Sequence, residues 1–259
     1  MQSVDDRHDV EFRFYEELND YLPLALRKRT FSRTITGTPS VKDAIEAVGV
    51  PHTEIDLILV NGRSVRFNHP LRGGERVAVY PMFERFDITP IHVLRPKPLR
   101  VPRFVADVHL GALARLLRLL GFDTRYANDL DDAQLADLTA RERRILLTRD
   151  VGLLKRKAVV RGHWLRHRDP ELQLEEVVEA LQLRRSLRPF TRCMMCNGTL
   201  ALVSRPSVKS VVPPLAFARF RVFHRCRECR RVYWRGTHYK RLQHLVSKIR
   251  RKSPRSHPD

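Results

Sequence analysis

Apolar residues fall on alternate positions near the start of the chain. Val10, Phe12 and Phe14 share one face, with charged residues between them, as in a half-buried strand. Over residues 41–47 the spacing changes to that of an amphipathic helix. Leu57, Leu59 and Val60 then run into Asn61-Gly62, a dipeptide suited to a tight hairpin because both residues tolerate positive φ. Arg72-Gly73-Gly74-Glu75 marks a second turn, followed by a strand over 76–80. This order predicts a small α+β unit over residues 1–90. Residues 91–102 hold three prolines, which block helix and central strand, and read as a linker.

From residue 103 the pattern changes. Phe104-Val105-Ala106 is a short apolar run ending in Asp107. Leu110, Leu113, Leu117 and Leu120 recur at helical spacing, and Gly121 is a natural stop. A strand is expected over 124–127, a helix over 131–143, a buried strand over 145–148 leading to Asp150, a short helix over 152–158 and a strand over 164–166. A helix then begins at Pro170 with Leu174, Val177, Val178 and Leu181 on one face. Strands alternating with helices predict a doubly wound parallel sheet over residues 103–183. The leucine run is broken by Arg115 and Arg118, so no stretch reaches the roughly 18–20 apolar residues of a membrane span. The first residues lack the apolar core of a secretory signal, and the expected location is the cytoplasm.

Composition adds a partner. With 259 residues, 42% hydrophobic and 30% charged, the chain has material for a core. Its net charge of +20 is uneven: residues 1–183 hold 29 basic and 27 acidic residues, residues 184–259 hold 20 and 2. Such concentration marks a polyanion partner, and with no basic amphipathic helix carrying a strong apolar face, nucleic acid fits better than membrane. All four cysteines lie in the same third, as Cys193-Met-Met-Cys196 and Cys226-Arg-Glu-Cys229 with 29 residues between the pairs. Two such knuckles predict a tetrathiolate zinc site over residues 184–247. Two disulfides are the alternative in an oxidising compartment. His224 and His238 lie nearby but outside the expected ligand set. The proline-bearing stretch between the knuckles reads as strand-like. Arg225, Arg227, Arg230, Arg231 and Arg235 interleave with Tyr233, Trp234 and Tyr239, which suits phosphate contact and base stacking on RNA; Trp234 can equally pack a ribbon core. Residues 248–259 read as a basic disordered tail.

Candidate chemistry sits in the α/β stretch. Ligands in open parallel sheets bind beyond the carboxyl ends of the strands. Asp107 and Asp150 follow predicted strands, and Asp129, Asp131 and Asp132 cluster at a helix start. Carboxylates gathered there would hold Mg²⁺ or Mn²⁺ and suit phosphodiester hydrolysis. The same residues also have local uses: Asp131 and Gln134 have capping-box spacing, and Asp150 can cap the next helix.

Two resemblances sharpen this reading. SVKDAIEAVGVP, LILVNG and LRGGERVAVYP resemble the ThiS/MoaD-like β-grasp, ubiquitin-like sulfur carriers. Carriers end in a free Gly-Gly tail, whereas Gly73-Gly74 is internal and the chain ends in Pro258-Asp259, so an interaction surface for a protein partner is expected rather than sulfur transfer. FVADVHLGALARLLRLLGFDTRY, DDAQLADLTARERRILLTRDVGLLKR and the paired CxxC motifs resemble the Mut-seven C-terminal RNase family of PIN-like domains. That resemblance implies a metal-dependent ribonuclease in which Asp107, Asp132 and Asp150 hold Mg²⁺ or Mn²⁺, with a zinc ribbon gripping RNA. Ala133 and Gln134 stand where the family carries further acids. The alternative is a non-catalytic RNA- or ribosome-binding adapter on the same fold.

Overall fold

The computed structural model describes residues 6–81, 102–126 and 130–251. The expected linker, apart from Pro102, lies outside them, as do Asp129 and residues 252–259 of the expected tail.

The N-terminal sheet contains β1 (Arg7–Phe14), β2 (Phe31–Thr36), β3 (Leu57–Val60), β4 (Arg63–Ser64) and β5 (Arg76–Tyr80), in the order β2-β1-β5-β3-β4. β1 runs parallel to β5 and antiparallel to β2. Helix α1 (Val41–Val48) lies between β2 and β3 in sequence. This is the β-grasp arrangement. The alternating residues of β1 supply its core: Val10, Phe12 and Phe14 are buried together with Ile45 of α1 and Val77 and Val79 of β5. Ser40 caps α1 by accepting the Asp43 amide, and its hydroxyl donates to the Asp43 carboxylate at 2.6 Å. The β3–β4 turn is Asn61-Gly62, with φ of 50° and 79°. Gly73 and Gly74 have φ of 101° and 80°, and a Cβ on Gly73 would stand 2.4 Å from His8. The Glu75 carboxylate accepts from the Arg72 and Gly73 amides, so the internal Gly-Gly pair is a locked turn.

The α/β stretch follows as β6 (Arg103–Ala106), α2 (Gly111–Leu119), β7 (Asp123–Tyr126), α3 (Asp132–Glu142), β8 (Ile145–Thr148), α4 (Val151–Leu154), β9 (Gly162–Trp164) and α5 (Pro170–Ala180). β6 lies between β7 and β8, parallel to both. Phe104, Val105 and Ala106 are fully buried, as expected of a strand covered on both faces. Leu113 and Leu117 of α2 are buried, as are Leu174, Val177 and Val178 of α5, and the two helices pack together. The short helix is one turn rather than 152–158, and the strand expected over 164–166 forms over 162–164.

The ribbon comprises β10 (Leu200–Val203), α6 (Pro214–Arg219), β11 (Phe223–Cys226), β12 (Val232–Trp234) and α7 (Thr237–Arg251). β11 is the middle strand of an antiparallel three-stranded sheet. The stretch between the knuckles departs from the strand-like expectation. After β10 it forms a 3-10 turn over Arg205–Val208 and then α6, because Pro214 occupies the first helical turn, where its fixed φ is pre-organised. Helix α7 extends through residues 248–251.

Contacts divide the chain into two compact units. One contains Met1–Arg100 and Asp150–Trp164; the other contains Val101–Arg149 and Leu165–Asp259, so the ribbon shares a unit with β6, β7 and β8. Within the first unit, the 150–164 segment is fastened to the β-grasp by buried polar groups. His52 faces the Glu46 carboxylate at 2.6 Å through Nδ1 and the Val159 carbonyl at 2.8 Å through Nε2. The Trp164 amide donates to Glu54 at 2.6 Å, and Lys155 Nζ donates to the Glu46 carbonyl at 3.0 Å.

Candidate functional site

The four cysteines converge. Their Sγ atoms all lie within 4.8 Å of one another. The Cys193–Cys229 and Cys196–Cys226 sulfur pairs are 3.6 and 3.4 Å apart. A tetrahedral ion with metal–sulfur bonds of about 2.3 Å needs sulfur–sulfur edges of roughly 3.8 Å, so the donor set and its spacing suit zinc. No disulfide joins them. The two knuckles are built alike. Asn197 follows Cys196 at φ 72°, and Arg230 follows Cys229 at φ 63°. The next amides, those of Gly198 and Arg231, donate to the sulfurs of Cys196 and Cys229. Burial opposes ionisation of Cys196, but the Gly198 amide and neighbouring thiols hold it down to about 6. Burial pushes Cys226 up to about 12. The Tyr233 hydroxyl lies 3.0 Å from Cys193 Sγ, and burial followed by this contact raises the phenol well above its usual range.

The first knuckle is wired into the α/β strands of its own unit. Arg118 of α2, only 5% exposed, donates to the carbonyls of Met194 at 3.1 Å, Met195 at 2.8 Å and Thr124 at 3.0 Å. The Asn197 amide group donates to Asp123 at 2.7 Å and accepts from the Thr124 amide at 3.0 Å. Arg144 Nη1 lies 2.9 Å from the Asp123 carboxylate and 3.1 Å from the Phe104 carbonyl. Gly121, at φ 95°, passes so close to the Arg188 carbonyl that a Cβ would stand 2.1 Å from it. Sequence reasoning placed none of these residues at the ribbon. The available signal was Arg118 itself, a cation inside an apolar helical run.

The predicted acids occupy element ends. Asp107, half-buried, directly follows β6. One carboxylate oxygen accepts the Val108 amide at 2.6 Å and the other accepts the Thr148 hydroxyl at 2.7 Å. Asp132 is the exposed first residue of α3. Asp131 caps that helix in a reciprocal box with Gln134. Asp150 caps α4 by accepting the Gly152 amide at 2.7 Å. Among the described residues, the cysteines are the group of three or more His, Cys, Asp or Glu side chains with ligand atoms close enough to share an ion, and His224 and His238 are outside it; Asp107 and Asp132 belong to one unit and Asp150 to the other. Asp107 nonetheless suits a hard cation: an ionised carboxylate offers about four lone-pair sites, and two hydrogen bonds leave room for a metal.

Of the basic residues, Arg227, Arg230, Arg231 and Arg235 are exposed. Arg225 instead donates to the Ser207 carbonyl at 2.6 Å and holds the insert between the knuckles. Trp234 is half-buried and packs against Phe223 in the small ribbon core, its ring centroid 6.3 Å away. No helix among the described residues is long and apolar enough to cross a membrane.

Comparison with known proteins matches residues 102–246 to the Mut7-C RNAse domain and residues 7–87 to Mut7-C ubiquitin. Two crystal structures of small archaeal modifier protein 1 from Haloferax volcanii are similar over 29% of this chain and 97% of theirs, at 19% identity and a TM-score of 0.24. No curated protein matches.

Proposed function

The chain belongs to the Mut7-C RNase family, and on that premise we propose that it is a metal-dependent ribonuclease whose zinc-stapled ribbon grips the RNA. The observation that carries this reading is the RNase-domain match over 102–246, a span that includes both Asp107 and the four cysteines. Asp107, with Asp132 and Asp150, would hold Mg²⁺ or Mn²⁺. When bound, the divalent ion supplies a more acidic water and neutralises charge on the scissile phosphate. Thr148 and the Val108 amide orient the Asp107 carboxylate. Arg227, Arg230, Arg231 and Arg235 would hold phosphates, with Arg225 and Trp234 supporting the surface from behind. The cysteines would bind one structural Zn²⁺, closing a ribbon whose own buried core holds Val208, Val212 and Phe223. The β-grasp unit would offer a protein-binding surface.

The adapter reading rests on the same basic ribbon, and one experiment separates the two. Labelled single-stranded RNA is incubated with the full chain and Mn²⁺. Shortened products that disappear without the metal support the ribonuclease. Tight binding with no product at any Mn²⁺ concentration overturns it and supports the adapter.

A further inference from the structure

A cavity of about 520 Å³ opens beside the cysteine cluster. Its volume falls in the range of about 300–1,000 Å³ typical of small-ligand sites. The walls come from the first knuckle, the ribbon hairpin and the start of α7, with buried Leu119 of α2 among the lining residues. Four aromatic side chains line it: Phe190, Tyr233, Trp234 and Tyr239. Phe190 and Tyr239 form a tilted pair with centroids 4.7 Å apart. The Arg235 guanidinium lies 5.6 Å from the Tyr239 ring centre. Arg192, Arg235, His224 and His238 also line the cavity, and among the described residues no carboxylate does.

The backbone here is held in an uncommon state. Phe190 has φ 60°, a region that bulky side chains rarely enter, and its amide is tied to the Leu119 carbonyl at 2.9 Å. A ring held this way lines an aromatic cavity within the most basic third of the chain. Unpaired RNA bases are bound by such features: aromatic faces and guanidinium planes for the base, cations for the adjoining phosphates.

We propose that this cavity is a nucleobase subsite that takes one unpaired base of the bound RNA, stacked on the Phe190–Tyr239 aromatic wall, with Arg235 on a flanking phosphate. The proposal rests on the RNA-binding reading above and adds a base-dependent term to a surface otherwise expected to hold backbone alone.

The test is fluorescence anisotropy of the full chain, without added divalent ion, against a labelled oligoadenylate and an abasic strand of equal length. Wild type binds the oligoadenylate on the order of 5- to 150-fold more tightly than the abasic strand. Tyr239→Leu and Phe190→Leu, which both keep apolar bulk, shrink that preference while leaving abasic affinity and its salt dependence unchanged. Equal wild-type affinity for the two strands overturns the base subsite and leaves RNA binding standing. A wild-type preference that both variants retain also overturns it, because the base is then read elsewhere. Failure to bind either strand at low salt overturns the RNA-binding reading, and the subsite with it.

Discussion

The Thr148 hydroxyl donates to the Asp107 carboxylate at 2.7 Å, joining the ends of the neighbouring parallel strands β8 and β6. Thr148 is fully buried, and the Asp107 amide continues the ladder by donating to the Leu147 carbonyl at 3.0 Å. The carboxylate is therefore held from its own backbone and from the strand beside it. In the proposed mechanism Thr148 is a positioning residue. Thr148→Val keeps the shape and removes the donor. It is expected to lower kcat for RNA cleavage roughly 10- to 100-fold with KM unchanged, as for other groups that orient a metal ligand. Thr148→Ser restores the rate. A variant that loses stability but keeps kcat contradicts the assignment.

The ribbon is expected to depend on its ion. One zinc per chain should be found by elemental analysis of the purified protein. Gly198 sits where an added Cβ would stand 2.9 Å from Cys226 Sγ and 2.4 Å from Glu228 Cγ. Gly198→Ala must push the second knuckle away from the first. The expected result is zinc released to a chromogenic chelator at least roughly 10-fold faster than from wild type. Unchanged release indicates that the sulfurs are not held by a shared ion.

Much of this architecture was legible in the chain. The alternation of Val10, Phe12 and Phe14, the Asn61-Gly62 turn and the Leu113/Leu117 spacing report local geometry, and each element forms where that geometry requires. The cysteine spacing likewise brings four sulfurs together. Less legible were features set by distant partners. His52 reads as an ordinary polar residue, but it meets Val159 across 107 residues. Phe190 and Tyr239 become a ring pair only when α7 folds back beside the first knuckle. The stretch between the knuckles misled because its apolar residues have no clear period, and Pro214 opens a helix instead of interrupting a strand. For the acids, the local uses were legible: the Asp131–Gln134 spacing and the place of Asp150 before a helix each gave the cap that forms. Asp131 and Asp150 both accept backbone amides of their own helices.

Acid stability gives an independent check on the packing beneath the ribbon. Burial works against ionisation of Asp123, but hydrogen bonds from Arg144 and Asn197 hold its carboxyl below the usual range. The unfolded chain, where an aspartate titrates near about 3.9, therefore binds more protons than the folded one as the pH falls past that value. This contribution is complete above about pH 5 and is lost as the pH drops through the unfolded value and then the lower folded-state pKa. Asp123→Asn is expected to be about 1–3 kcal/mol less stable in urea at neutral pH, with a flatter stability slope between about pH 5 and pH 3. Parallel wild-type and variant curves over that interval would contradict it.

The most direct test of the ribonuclease reading is single-turnover cleavage of labelled single-stranded RNA with Mn²⁺ by wild type and Asp107→Asn, with RNA affinity measured on the same samples. The account predicts unchanged affinity and a rate lowered on the order of 100-fold or more in the variant. Equal rates for the two proteins would contradict it.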